Sequence, residues 1–286
     1  MSRRSWAALA GAGVVAIVVV RLADWDALHR AWRSLAAEPL VLVVALAAYT
    51  AGFVLRAAAW GALMPAGVVV PLGRRVRAVF AMLAVNHALP GPVGEVARAR
   101  VVADGPGLTM RAALVSVAAA RVVDAACIAV LAVSCGLLLG EGPGWLRAAS
   151  LVALALPVGA WTVARRRGAD LGWARLFRVA VLALPSWALE VGMLWAVASA
   201  AGLRLGWAAA MLATCGGLLA QVAAVLPGGV GTYEAGVASV LVALGAPAGE
   251  SLAVAATTHA VKFVYAFGVG LPALAWRRDA VPAVAV

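Results

Sequence analysis

The stretch Asn86-His-Ala-Leu-Pro-Gly-Pro-Val-Gly-Glu95, NHALPGPVGE, sets two prolines, two glycines, an amide and a carboxylate inside a chain that is otherwise close to unbroken Ala, Val and Leu. Proline has no N–H to donate and glycine adopts dihedrals other residues resist, so the stretch breaks a helix. Backbone groups freed by such a break cannot face lipid; at membrane depth they must be buried in protein or line a watery cavity.

The stretch has a near copy. Residues 221–234 read QVAAVLPGGVGTYE, again an amide, then Leu-Pro-Gly-x-Val-Gly, then a glutamate. Leu89 and Leu226 lie 137 residues apart, close to half of the 286-residue chain. Gly/Pro-interrupted apolar segments at matching places in two halves point to the central site of a transporter. Pro90, Gly91, Gly94, Pro227, Gly228 and Gly231 are therefore expected to form rigid turns, and Asn86, Glu95, Gln221 and Glu234 to present polar groups beside them.

Composition fixes the class. Hydrophobic residues make up 65% of the chain and charged residues 12%, against roughly 25% charged in a soluble domain. Apolar segments fall at about 5–22, 40–64, 76–90, 112–140, 145–164, 179–201, 206–226, 233–245 and 249–276. Several approach or exceed the ~18 to 20 residues that cross a bilayer as a helix. They are apolar on every face, unlike the alternating strands of a membrane barrel. The expected fold is all-α, a polytopic membrane bundle in one domain over 1–286. It has about six full spans and two re-entrant broken segments, in inverted halves near 40–140 and 179–276.

Charge placement sets orientation. The net charge of +11 does not signal nucleic acid, because the basic residues cluster beside the apolar runs. With 76–102 and 206–245 returning to the side they left, fifteen basic residues fall in the cytoplasm: Arg3, Arg4, Arg74, Arg75, Arg77, Arg98, Arg100, Arg111, Arg165, Arg166, Arg167, Arg175, Arg178, Arg277 and Arg278. Arg21, Arg30, Arg33, Arg147 and Arg204 fall outside. The positive-inside rule then places both termini in the cytoplasm. The basic start and apolar core of 1–27 carry no convincing cleavage site and read as an uncleaved first span. Asp24 to Glu38 reads as an interfacial helix with Trp25, Leu28, Trp32 and Leu35 on its apolar face.

Ionisable residues inside spans are functional candidates by default. Arg121 and Asp124 stand at i, i+3 and are expected to pair. Arg56 is near enough to a span end to snorkel. If a helix starts near Val93, its dipole favours Glu95, and Arg98 offers a fork for a phosphate or for Glu95 itself. Glu190, His259 and Lys262 lie mid-span, and a cluster of Lys262 with Glu190 or Glu234 would neutralise it. The scattered histidines and the cysteines Cys127, Cys135 and Cys215 show no metal-ligand spacing, and no nucleophile elbow, Walker A loop or zinc-protease motif occurs. No enzyme chemistry, metal or cofactor is expected.

Taken in order, VLRAAAW, NHALPGPVGEVARA, ARVVDAACIAVLAV and LPGGVGTYEAGVASVLVALGAP with a closing apolar span resemble the lysylphosphatidylglycerol synthase transmembrane family, often called flippase-like. The resemblance covers essentially the whole chain. It implies the lipid-translocating part of such synthases without their aminoacyl-transferase domain. Its motif positions correspond to Arg56, Asn86, Pro90, Gly94, Glu95, Arg98, Arg121, Asp124, Pro227, Gly231 and Glu234. His87 departs from the pattern, which has an apolar residue beside the asparagine.

The expected function is movement of an anionic phospholipid, or of a polyprenyl- or hopanoid-type lipid, between leaflets of a bacterial inner membrane. Arg98, with Arg121 or Lys262, would accept the headgroup. The alternative is a non-transporting scaffold for lipid- or envelope-glycan-synthesis enzymes; a membrane-embedded transferase is a third reading. The partner implied by the first reading is a membrane lipid.

Overall fold

The computed structural model describes residues 24–104, 107–140, 143–166, 173–223 and 226–276. The expected first span at 5–22, with Arg3, Arg4 and Arg21, lies outside the described residues, as do Arg167, Arg277 and Arg278.

Every regular element among the described residues is helical. The order is α1 (Trp25–Ala37), α2 (Pro39–Gly61), α3 (Leu72–Ala88), α4 (Val93–Ala103), α5 (Met110–Leu139), α6 (Gly144–Arg166), α7 (Trp173–Ala188), α8 (Val191–Ala200), α9 (Trp207–Ala220), α10 (Thr232–Ala243) and α11 (Ala248–Ala275). Local chemistry explains the boundaries. The Asp24 carboxylate accepts from the Ala27 N–H at 2.9 Å and starts α1. Pro39 opens α2, where its missing N–H costs nothing. Thr109 caps α5, which stops at Gly140 with φ 69°.

Among the described residues, α2, α5, α11 and the segment Phe177–Ala200 running through α7 and α8 are long and apolar enough to cross a bilayer. The shortest has 23 residues, or about 35 Å at 1.5 Å per residue, against ~30 Å of hydrocarbon. The chain is a helical membrane protein. Of the six full spans expected, these four satisfy length and composition, and α6 is apolar over Gly144–Ala155.

The sequence recurrence extends to the helices. Shifted by 137 residues, 39–61, 72–88, 93–103 and 110–139 fall on 176–198, 209–225, 230–240 and 247–276. The elements found there are Phe177–Ala200, α9 with its 3₁₀ continuation to residue 223, α10 and α11. Each set is a long helix, a broken hairpin and a long helix. The hairpin arms α3, α4, α9 and α10 have 17, 11, 14 and 12 residues, so each is about 25 Å long or less and falls short of a full span.

Small residues let the arms lie close. α3 packs on α4 and α9 on α10. A Cβ on Gly94 would overlap the Asn86 amide and sit 2.6 Å from the Met82 carbonyl. A Cβ on Gly236 would sit 2.5 Å from the Gly216 carbonyl. Close backbone approach through glycine is the usual device for membrane helices. α11 then packs against both hairpins, on α3 and on α10, and brings the two broken segments together.

α1 forms over Trp25–Ala37 as expected, but the face it buries is not the one expected. Its buried positions are Ala27, Ala31 and Leu35, and it packs on α11 and α8. Trp25 and Trp32 are exposed, at 45% and 42%. The alanines give the closer seat against neighbouring helices, which leaves the tryptophans on the outer surface with Leu35 alone of the expected face fully buried.

Candidate functional site

The first motif is built by its own side chains. α3 ends at Ala88, Leu89 is extended, and Gly91 turns the chain with φ 75° into α4. Asn86 spans the turn: its Oδ1 accepts from the Gly94 N–H at 2.9 Å, and its Nδ2 donates to Glu95 Oε1 at 3.3 Å. Glu95 lies in the first turn of α4, where the helix dipole favours a carboxylate. Arg121 reaches it from α5, with Nε donating to Oε1 at 2.8 Å and Nη2 to the same oxygen.

Arg121 therefore does not pair with Asp124 as expected. The carboxylate on the neighbouring helix receives two guanidinium N–H groups, a stronger contact than an i, i+3 pair on one helix surface. Asp124 accepts instead from the Trp187 indole at 3.1 Å. Nor does Arg98 turn back to Glu95. Its guanidinium lies 4.0 Å over the Trp60 ring, and Trp60 is held by its N–H to Ser116 Oγ at 3.1 Å.

Arg98 is 3% exposed. Among the described residues it makes no hydrogen bond and no ion pair, and its Nε is buried without a partner. It lines a cavity of about 10 Å³ together with Arg56, Trp60 and Asp124. The Arg56 Nε is also buried and unpaired. A cavity of that size holds about one water.

A second charged group sits at the break between α7 and α8. Pro185 has no N–H to give Val181, and the helix interrupts at Leu189 and Glu190. Glu190, 3% exposed, bridges Arg56 from α2 and Lys262 from α11, the latter at 2.8 Å. Arg56 is held between rings, 4.2 Å over Phe53 and 3.8 Å over Trp187. Lys262 lies 4.8 Å from the Tyr233 ring centre. Arg56 thus points into the protein and does not snorkel: the mid-span Glu190 gives it an ionic partner that outweighs its hydration at the span end.

The second motif repeats the plan with different chemistry. Gly228, Gly229 and Gly231 have φ of 66°, 76° and 85°. The Gln221 amide donates to the Gly228 carbonyl at 2.8 Å. Glu234 Oε2 accepts from the Gly231 N–H at 2.7 Å, and Oε1 faces His259 Nδ1 at 2.8 Å. His259 Nε2 faces the Gly228 carbonyl at 3.1 Å. Glu95 and Arg121 stand 26 residues apart, Glu234 and His259 25. In each half, a carboxylate early in the second hairpin arm meets a basic side chain of the long helix that follows.

The motifs meet. α3 packs against the Pro227–Gly229 turn, and the His87 and His259 rings are 6.3 Å apart, both against Phe263. The candidate residues therefore fall into three adjoining groups: Asn86, Glu95 and Arg121; Gln221 and Glu234 with His259; and Lys262 with Glu190 and Arg56. Arg98 and Asp124 line the small cavity beside them. Glu190, Arg56, His259, Trp60 and Trp187 join the site without having been singled out as ligand-binding residues. Glu190 had a signal, as a lone carboxylate in an apolar run; the tryptophans had none.

No curated protein matches the chain. Residues 5–169 and 160–270 match the family model described as the lysylphosphatidylglycerol synthase TM region, and the chain, with its paired broken hairpins and buried charges, belongs to that family.

Proposed function

We propose that the protein translocates an anionic lipid between leaflets, with Arg98 as the group that receives the headgroup phosphate. The supporting observation is that Arg98 is a buried guanidinium that makes no hydrogen bond or ion pair among the described residues, beside a small cavity that the Asp124 carboxylate also lines. A buried charge without a partner is costly. A fork of N–H groups that matches a phosphate explains why the cost is retained. Trp60 holds the fork in place by cation–π attraction.

The cavity described is too small for a headgroup, so this arrangement is a closed state. Access requires α4 and α5 to part from α2 and α7, whose residues form the cavity walls. The paired half-length hairpins, approached from opposite leaflets in inverted halves, suit alternating access about this point. The setting is a bacterial inner membrane with both termini in the cytoplasm. Lipid tails stay in the bilayer while the headgroup crosses.

Arg98→Ala is expected to lower phosphatidylglycerol translocation in reconstituted vesicles by about tenfold or more, the value of one charge-assisted contact. Arg98→Lys recovers only part, because an ammonium lacks the planar fork. Thermal stability of Arg98→Ala is expected to stay level or rise, since an unpaired buried charge is removed. Unchanged translocation with lowered stability would instead make Arg98 a packing residue.

A further inference from the structure

The two halves carry corresponding but chemically different pairs: Glu95 faces Arg121, whereas Glu234 faces His259, one or two residues along from the positions that the 137-residue shift would match. Both His259 nitrogens face oxygen, Nδ1 the Glu234 carboxylate at 2.8 Å and Nε2 the Gly228 carbonyl at 3.1 Å. A carbonyl oxygen only accepts, and an ionised carboxylate only accepts. A neutral imidazole has one N–H and one lone pair. With Glu234 ionised and His259 neutral, one of these contacts would set lone pair against lone pair. The arrangement thus holds one proton more than that state. Glu234 Oε2 already accepts the Gly231 N–H, which favours the ionised carboxyl and places the proton on His259.

From this geometry we propose that Glu234 and His259 form an exchangeable proton site within the membrane, at the point where the two broken hairpins meet. The chemical step is a transfer of one proton between a ring nitrogen and a water oxygen, with no other bond made or broken. With the proton bound, the pair is neutral overall and both ring contacts hold. Without it, the pair carries a buried negative charge and one of the two contacts is lost. The Nε2 contact ties α11 to the Pro227–Gly229 turn, against which α3 packs, and the Nδ1 contact ties α11 to α10. Proton occupancy therefore acts on the junction of the halves. Arg121, which does not titrate, makes the matching junction permanent.

The surroundings fit this role. From α3, His87 is the nearest other titratable ring; its Nδ1 is engaged by the Leu83 carbonyl at 2.8 Å, which leaves Nε2 as its accepting nitrogen. His87 is itself half-buried and is followed by the exposed residues Leu89 to Val93. From α10 come Glu234 itself and Tyr233, whose ring is 4.5 Å from His259. One turn along α11, Lys262 is neutralised by Glu190 at the α7–α8 break, with Tyr49 of α2 beside it. The buried faces of α1 and α8 carry no titratable side chain, and that of α9 carries only Cys215. His259 is thus the one imidazole of this cluster that is paired with a carboxylate among the described residues.

What the proton drives rests on the translocator reading; the proton site does not. Two readouts keep them apart. Nitrogen-15 spectra of the full-length protein labelled at histidine, with His259 assigned by its loss in His259→Arg, are expected to show both ring nitrogens protonated at about pH 7. A neutral His259 ring there would overturn the proposal, whether or not lipid moves. In vesicles with an imposed pH gradient, the translocation rate of fluorescent phosphatidylglycerol is expected to change by up to about tenfold per pH unit. His259→Arg, which copies the Glu95–Arg121 pair, is expected to remove that dependence, as is Glu234→Gln. An equal gradient response in wild type and both variants would overturn the coupling.

Discussion

Glu190→Gln is expected to lower stability by about 3 to 5 kcal/mol, the largest effect among the substitutions considered. Glu190 is the shared counter-ion of two buried cations, Arg56 and Lys262. Glutamine keeps the shape and removes the charge, so both cations lose their ionic partner inside an apolar bundle. Losing one member of a buried ion group costs more than the group contributes, because the rest is left uncompensated. Lys262→Met should be much milder, since Glu190 then keeps Arg56 and the pair stays neutral. Thermal unfolding of the detergent-solubilised variants measures both. Equal losses from the two substitutions would show that Glu190 does not act as the shared counter-ion of both cations.

Gly236→Val is the second large effect, expected at about 1 to 3 kcal/mol from overpacking, with loss of the α9–α10 contact. A Cβ there would stand 2.5 Å from the Gly216 carbonyl and 2.7 Å from the Ala220 Cβ. Backbone cannot rotate away as a long side chain could, so the hairpin arms must separate. Gly268→Ala is the control. Nothing lies within 4 Å of its added Cβ, and replacing a helical glycine by alanine should stabilise by roughly 0.5 to 1 kcal/mol. Size-exclusion profiles and protease resistance of the two variants in one detergent check this contrast.

The sequence carried the class of the fold and much of its plan. The recurrence of Leu-Pro-Gly-x-Val-Gly at 89 and 226 anticipated two broken hairpins, and the helix after the first does begin at Val93. Local chemistry is legible because proline, glycine and capping residues act on their own backbone within a few positions. Partner choice across helices is not. Arg121 had a carboxylate three residues away and took Glu95, 26 residues distant, because α4 and α5 lie side by side. Arg56 read as an interfacial anchor, and Glu190 from the other half of the chain drew it inward. The cavity beside Arg98 depends on Trp60 and Asp124 reaching one point from α2 and α5, which no periodicity along a single helix records.

His87, expected from the resemblance to be an apolar position, stands beside Phe263 with its ring 6.3 Å from that of His259. This second imidazole adds a proton acceptor at the junction of the halves.

The most direct measurement is headgroup-resolved translocation by the purified, reconstituted protein. Vesicles would carry trace fluorescent phosphatidylglycerol or a fluorescent lipid with no phosphate, and the loss of signal to a membrane-impermeant quencher reports movement across the bilayer. Protein-dependent movement of the phosphate-bearing lipid is expected, sharply reduced by Arg98→Ala, with little movement of the lipid that lacks a phosphate. Equal movement of both lipids, or none of either above protein-free vesicles, would contradict it.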